Sequence, residues 1–192
     1  MSKWEVGDVA VFAGTPGHVG MVHTDGDAWY AHCIHATHKL GFHLGNLRMD
    51  PGDAVFRAPW DRLDETRREE KKEKLKLVAD SIANTATYGM YRASRLLLGK
   101  SEFGTGARGR LQKYIGRSQD RLSSSTAMDE GDKFVSTVTC AEAVILCYQI
   151  TFYELRETTG VRGVFFIRKD AAHTMPKTLK KWLAVNWTEV QH

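Results

Sequence analysis

The residue with the most chemical promise is Cys140, in the tetrapeptide Thr139-Cys140-Ala141-Glu142. Thr-x-x-Glu ahead of an apolar run predicts a capping box, with Thr139 as N-cap and Glu142 closing back on it. Cys140 then stands in the first helical turn, where unpaired backbone N–H groups and the positive end of the helix dipole favour a thiolate. That setting predicts a thiol pKa drawn down towards neutrality, and the same amides could hold an oxyanion. The alternative for Cys140 is a small buried hydrophobe. Cys147, seven residues on and inside the apolar run, reads as core packing, and Cys33 as a structural strand residue.

A thiolate nucleophile needs a base, and the base needs a polar group to hold it. Six of the eight histidines fall between His18 and His43. His18 opens the alternating run HVGMVHT (18–24) directly after the turn residues Thr15-Pro16-Gly17. In the next hairpin, a three-residue turn (Asp25-Gly26-Asp27) pairs Thr24 with Ala28 and Gly20 with His32, which puts His18 and His32 on one face. A two-residue turn flips the parity and brings His35 instead. The three-residue turn is adopted here, giving Cys140, His18 and His32 as the catalytic set. Zinc is the competing use of His32, Cys33, His35, His38 and His43. Strand alternation separates His32 from Cys33, so neither a metal nor another cofactor is assigned.

The elements that must position these groups are read from patterning. GDVAVFAG (7–14), HVGMVHT (18–24), AWYAHCIH (28–35) and DAVFRAP (53–59) predict strands. Residues 61–84 carry seven basic and six acidic residues between Asp61 and Lys76, with pairs such as Glu70–Lys74, and predict an exposed helix. TYGMYRASRLLLG (87–99) predicts a second helix. Residues 99–132, rich in Gly and Ser, predict a long loop. Its stretch from Lys100 to Arg121 holds six basic residues against Glu102 and Asp120. FVSTVT (134–139) reads as extended, 140–157 as an apolar helix, GVFFIRK (163–169) as a strand, PKTLKKWLA (176–184) as a helix opened by Pro176, and NWTEVQ (186–191) as a last strand.

Composition agrees with one globular domain: 192 residues, 42% hydrophobic, 26% charged and a net charge of +4. Three cysteines at irregular spacing argue against a disulfide scaffold. No run is apolar enough to span a membrane. Glu5 and Asp8 interrupt the start, so no secretory signal is read and synthesis in the cytoplasm is expected. The five tryptophans do not interleave with basic residues, so no nucleic-acid partner is assigned.

The order GDVAVFAGTPGHVGMV, then WYAHCIHA, then FVSTVTCAEAV resembles the circularly permuted NlpC/P60 (permuted papain-like) cysteine hydrolases, a group that includes LRAT-like enzymes and bacterial amidase-like proteins. TYGMYRAS and AAHTMPKTLKKWL resemble further elements of that group. The resemblance implies an α+β, papain-like fold in which an antiparallel sheet packs on helices with the nucleophile at a helix N-terminus. It implies a single domain over 1–192, with a helical and basic loop insertion at about 61–132. Cys140 would attack a carbonyl, His18 would move the proton, and His32 would orient His18.

The implied substrate is a peptide or peptidoglycan-type amide. An enzyme of that kind would leave the cytosol through a dedicated secretion system as an antibacterial effector, with an immunity or inhibitor protein as partner. A lipid acyl hydrolase or acyltransferase is the first alternative, with residues 99–121 meeting an anionic surface. A non-catalytic binding module is the second.

Overall fold

The computed structural model describes residues 4–14, 17–26, 30–37, 41–48, 50, 52–88, 99–123 and 137–190. The strands are β1 (Val9–Phe12), β2 (His18–Thr24), β3 (Tyr30–Thr37), β4 (Gly41–Arg48), β5 (Ala54–Arg57), β6 (Thr87–Tyr88), β7 (Thr137–Val138) and β8 (Thr188–Val190). The helices are α1 (Glu65–Thr85), α2 (Thr105–Ser123), α3 (Cys140–Thr151) and α4 (Pro176–Asn186). Six strands form one antiparallel sheet in the order β4-β3-β2-β1-β5-β8. The chain is therefore α+β. Among the described residues no helix is long and apolar enough to cross a membrane.

Alternation along the strands divides the apolar side chains between two clusters. Val9, Val11, Val19, Met21, Ile34, Ala54 and Phe56 face the helices in the main core. Ala10, Val22, Cys33 and Val55 form a smaller cluster with Trp4 on the other face. The apolar run from Cys140 is buried along its whole length in α3, which explains its all-round hydrophobicity. Tyr148 of α3 donates its hydroxyl proton to the Gly7 carbonyl. Gly7 has φ +88°, and a Cβ there would sit 2.8 Å from both Trp60 and the Tyr148 oxygen. The helix is thus tied to the entry of β1 at a position that only glycine fits.

Several expectations are corrected. The loop expected over 99–132 contains α2. Its apolar positions, Ala107 and Leu111, are buried, with Tyr114 and Ile115 half-buried. Gly109 and Gly116 stand where an added Cβ would meet nothing within 4 Å. Each costs the helix about 1 kcal/mol relative to alanine, and the packing of α2 on α3 offsets it. The strand expected at 163–169 is instead a 3₁₀ helix, Gly160–Phe165, followed by extended residues. Phe165, Phe166 and Ile167 are all fully buried, which one face of a strand cannot achieve. Gln149 donates to the carbonyls of Ile167 (2.8 Å) and Lys169 (2.7 Å) where a neighbouring strand would otherwise serve. Thr87–Tyr88 is a short strand parallel to β7 rather than the opening of a helix, and the rest of that expected helix, 89–98, lies outside the described residues. β4 has no counterpart in the sequence reading.

Candidate active site

The site is built where β2 and β3 part. Across from β1, Val22 donates to the Asp8 carbonyl at 2.8 Å. Alternation then directs the N–H groups of Gly20 and His18 towards β1, and those of Met21 and Val19 towards β3. The β2–β3 ladder pairs Thr24 with His32, Val22 with Cys33 and Met21 with Ile34, and goes no further. Beyond it, residues 18–20 and 35–37 run on without pairing, each still held on its outer side by β1 and β4.

Cys140 reaches this opening from the helix side. Its capping box forms as expected: Glu142 N–H donates to Thr139 Oγ1 at 3.2 Å, and Thr139 N–H to Glu142 Oε2 at 3.4 Å. The sulfur faces the backbone N–H groups of Val19, Ala141 and Cys140 itself. Cys140 is only 5% exposed. Burial pushes its thiol pKa up, and the three N–H groups pull against that without reversing it. The expectation of a lowered pKa is therefore corrected: loss of water around the sulfur outweighs the helix start, and the resting group is a neutral thiol.

The imidazoles come from the opposite side. His18 follows the phase of Val22, and His35 that of Cys33, so both belong to the face away from α3. His18 Nε2 and His35 Nδ1 share a hydrogen bond at 3.3 Å, with the rings edge to face and their centroids 5.4 Å apart. The Phe12 ring lies 5.6 Å from His18. His35 is buried and His18 half-buried. In this arrangement the amides of Val19, Ala141 and Cys140 lie beside the sulfur, while His18 Nε2 is turned to His35.

His35, rather than His32, thus stands beside His18. The reason is a β-bulge. At the turn end, Thr24 opposes His32, the even–even parity expected from the sequence. Between Thr24 and Val22 the strand takes two steps while β3 takes one, and the extra residue, His23, flips the phase of everything nearer His18. Thr24 is opposite His32, so the expected pair of Gly20 with His32 is not made, and Ala28, the other expected partner, lies outside the described residues. His32 lies near the turn, opposite Thr24 on one side and Asn46 on the other. His43 is opposite His35 in register. No group of three or more His, Cys, Asp or Glu side chains is arranged to hold a metal ion among the described residues.

Cys33 and Cys147 are fully buried. Burial pushes the Cys33 thiol up to about 12 and the Cys147 thiol further still, the latter helped by the negative charge of Asp80. The Val19 amide had no sequence signal, because a backbone donor becomes visible only when a ladder ends beside it.

No family model, curated protein or solved structure matches this chain.

A second polar cluster ties α2 to the rest. Asp170 receives Arg110 and, at 2.8 Å, His173 Nδ1. It also accepts from Ala172 N–H at 3.2 Å. Arg108, Lys113 and Arg117 are exposed on α2, with Arg108 3.2 Å from Glu157.

Proposed function

We propose that this protein is a cysteine hydrolase that cleaves amide bonds of peptide or peptidoglycan type through a thioacyl-enzyme, in the manner of permuted NlpC/P60 enzymes. The observation that carries the reading is the junction at the β2–β3 opening. A cysteine at a capped helix start abuts the residue after His18, and His18 is held by a second imidazole.

The roles follow from the nitrogen atoms. His18 uses Nε2 towards His35, so Nδ1 is the nitrogen that serves the thiol. A neutral His18 acting as base on Nδ1 carries its proton on Nε2 and donates it to His35 Nδ1. His35 then carries its own proton on Nε2. Because burial keeps the thiol neutral, proton transfer to His18 accompanies attack instead of preceding it as a resting ion pair. The His18 ring lies on the sheet face away from α3, so in this mechanism it turns through the β2–β3 opening to reach the sulfur when substrate binds, as catalytic hydrogen bonds that form only in the complex do. With so little of Cys140 exposed, packing around the sulfur must part to admit a carbonyl.

The Cys140 sulfur forms a bond to the carbonyl carbon while its proton passes to His18. The C–N bond breaks as His18 returns that proton to the leaving amine. Water then adds to the thioester, again losing a proton to His18, and the thiol leaves with that proton. Protonating His18 beforehand removes the base, so turnover falls on the acid side. Protonating His35 as well sets two cations side by side and breaks their hydrogen bond.

A second reading keeps the nucleophile and changes the substrate to a lipid acyl group. The exposed cations of α2 favour it, since each Lys or Arg near an anionic bilayer contributes about 1 kcal/mol. Purified peptidoglycan and phosphatidylglycerol vesicles are the two substrates to offer. Released muropeptides, absent with Cys140→Ala, support the amidase. Free fatty acid supports the lipid enzyme. Neither product would leave a binding module. Export as an effector with an immunity partner belongs to the peptidoglycan outcome alone.

A further inference from the structure

Sheet hydrogen bonding leaves one amide over at the site. Val19 N–H points towards β3 by the alternation of β2, yet the β2–β3 ladder stops two residues short of it, at Met21 opposite Ile34. The Cys140 sulfur lies beside it instead, close enough for the amide to pull the thiol pKa down against burial. Its own side chain is fully buried in the core under α3, which fixes the direction of the amide. The other two donors to the sulfur, Cys140 N–H and Ala141 N–H, are those any helix start provides.

We infer that the backbone N–H of Val19 is the donor that holds the Cys140 thiolate as its proton leaves, a role that rests on the cysteine-hydrolase reading but is testable on the sulfur alone. A hydrogen bond to a charged acceptor is roughly twice as strong as one between neutral groups. The amide is therefore used most when the sulfur carries its charge. One short segment, His18-Val19, supplies both the base and the donor, so a shift of β2 disables the two together. The early end of the ladder is thus part of the chemistry: a full β2–β3 ladder would consume the amide and close the opening.

The test replaces Val19 by 2-hydroxyisovalerate in the full-length chain, which exchanges N–H for an ester oxygen and keeps the side chain. The same backbone exchange at Met21, a ladder residue, is the control. The pH profile of iodoacetamide alkylation is followed at Cys140 by mass spectrometry. The ester at 19 should raise the alkylation midpoint by about one pH unit, a roughly tenfold slower reaction at fixed pH below it. The ester at 21 should leave the midpoint in place. An unmoved midpoint at 19, or equal movement from both esters, overturns the assignment.

Should the ester at 19 prevent folding, the unmodified protein gives a second measurement. The Val19 amide resonance should titrate with Cys140 and lose that titration in Cys140→Ala, and a resonance indifferent to the thiol also overturns it. A moved midpoint without turnover of any offered substrate would retain the donor and discard the hydrolase. Turnover with an unmoved midpoint would do the reverse.

Discussion

Cys140 and Cys147 lie two turns apart on one helix, both buried in the same core, and their surroundings differ in kind. Cys147 is deep in α3, with burial and the charge of Asp80 both opposing ionisation. Cys140 is at the helix start, where three backbone N–H groups oppose the effect of burial. Exposure does not separate them, at 0% and 5%. What separates them is the supply of unused amides, two from the helix terminus and one from a strand whose ladder has ended. On the proposed reading, the donors around Cys140, rather than contact with solvent, would make this buried thiol a usable nucleophile.

The widest break in that comparison is by deletion. Cys140→Ala should abolish turnover, and His18→Ala should lower it by about 10²- to 10⁴-fold, the usual worth of a positioned general base. Melting temperatures should stay close to that of the parent protein. Cys147→Ala should retain turnover, so full activity in Cys140→Ala, or its loss in Cys147→Ala, inverts the assignment of the two thiols.

A smaller effect distinguishes the histidines. His35→Ala frees the His18 ring to misalign and should cost up to about 100-fold in kcat. His32→Ala, at the turn end of the ladder, should stay near parental activity. Steady-state kinetics of the pair measure the consequence of the bulge directly. Equal losses would mean that the phase change at His23 has no functional weight.

The smallest effect concerns stability in alkali. The folded Cys33 thiol ionises near 12 against an ordinary value of 9.0. Above pH 9 the unfolded chain releases this proton and the folded one keeps it, so stability falls as pH rises from 9 towards 12. By pH 10 the loss is about 1 kcal/mol. Urea denaturation at pH 8 and pH 10 should show a loss in the parent protein that is smaller by about 1 kcal/mol in Cys33→Ala, the remainder coming from the other buried thiols, Cys140 and Cys147. An identical pH dependence would remove desolvation as the dominant influence on this thiol.

Local signals were read where side-chain pattern and chain geometry agree. The strand His18–Thr24, the capping box at Thr139 and the apolar helix behind it were all legible, because each depends on neighbours within a few residues. Signals diluted by glycine were misread. In α2, Gly106, Gly109 and Gly116 masked a sound i, i+4 pair at Ala107 and Leu111 that acquires its stability by lying on α3. The segment 163–169 misleads for the opposite reason: it is so apolar that a strand is expected, whereas the core buries Phe165, Phe166 and Ile167 and the Gln149 amide takes the carbonyls of Ile167 and Lys169.

The identities of the thiol and its capped helix, and of His18 at a strand start, were determined by sequence alone, since capping and alternation act over three or four residues. The partner of His18 and the last donor to the sulfur were decided only by the tertiary structure. A bulge changes the phase of a whole strand through one extra residue. An amide becomes available only where a neighbouring strand has turned away, and neither event is written in any single residue type.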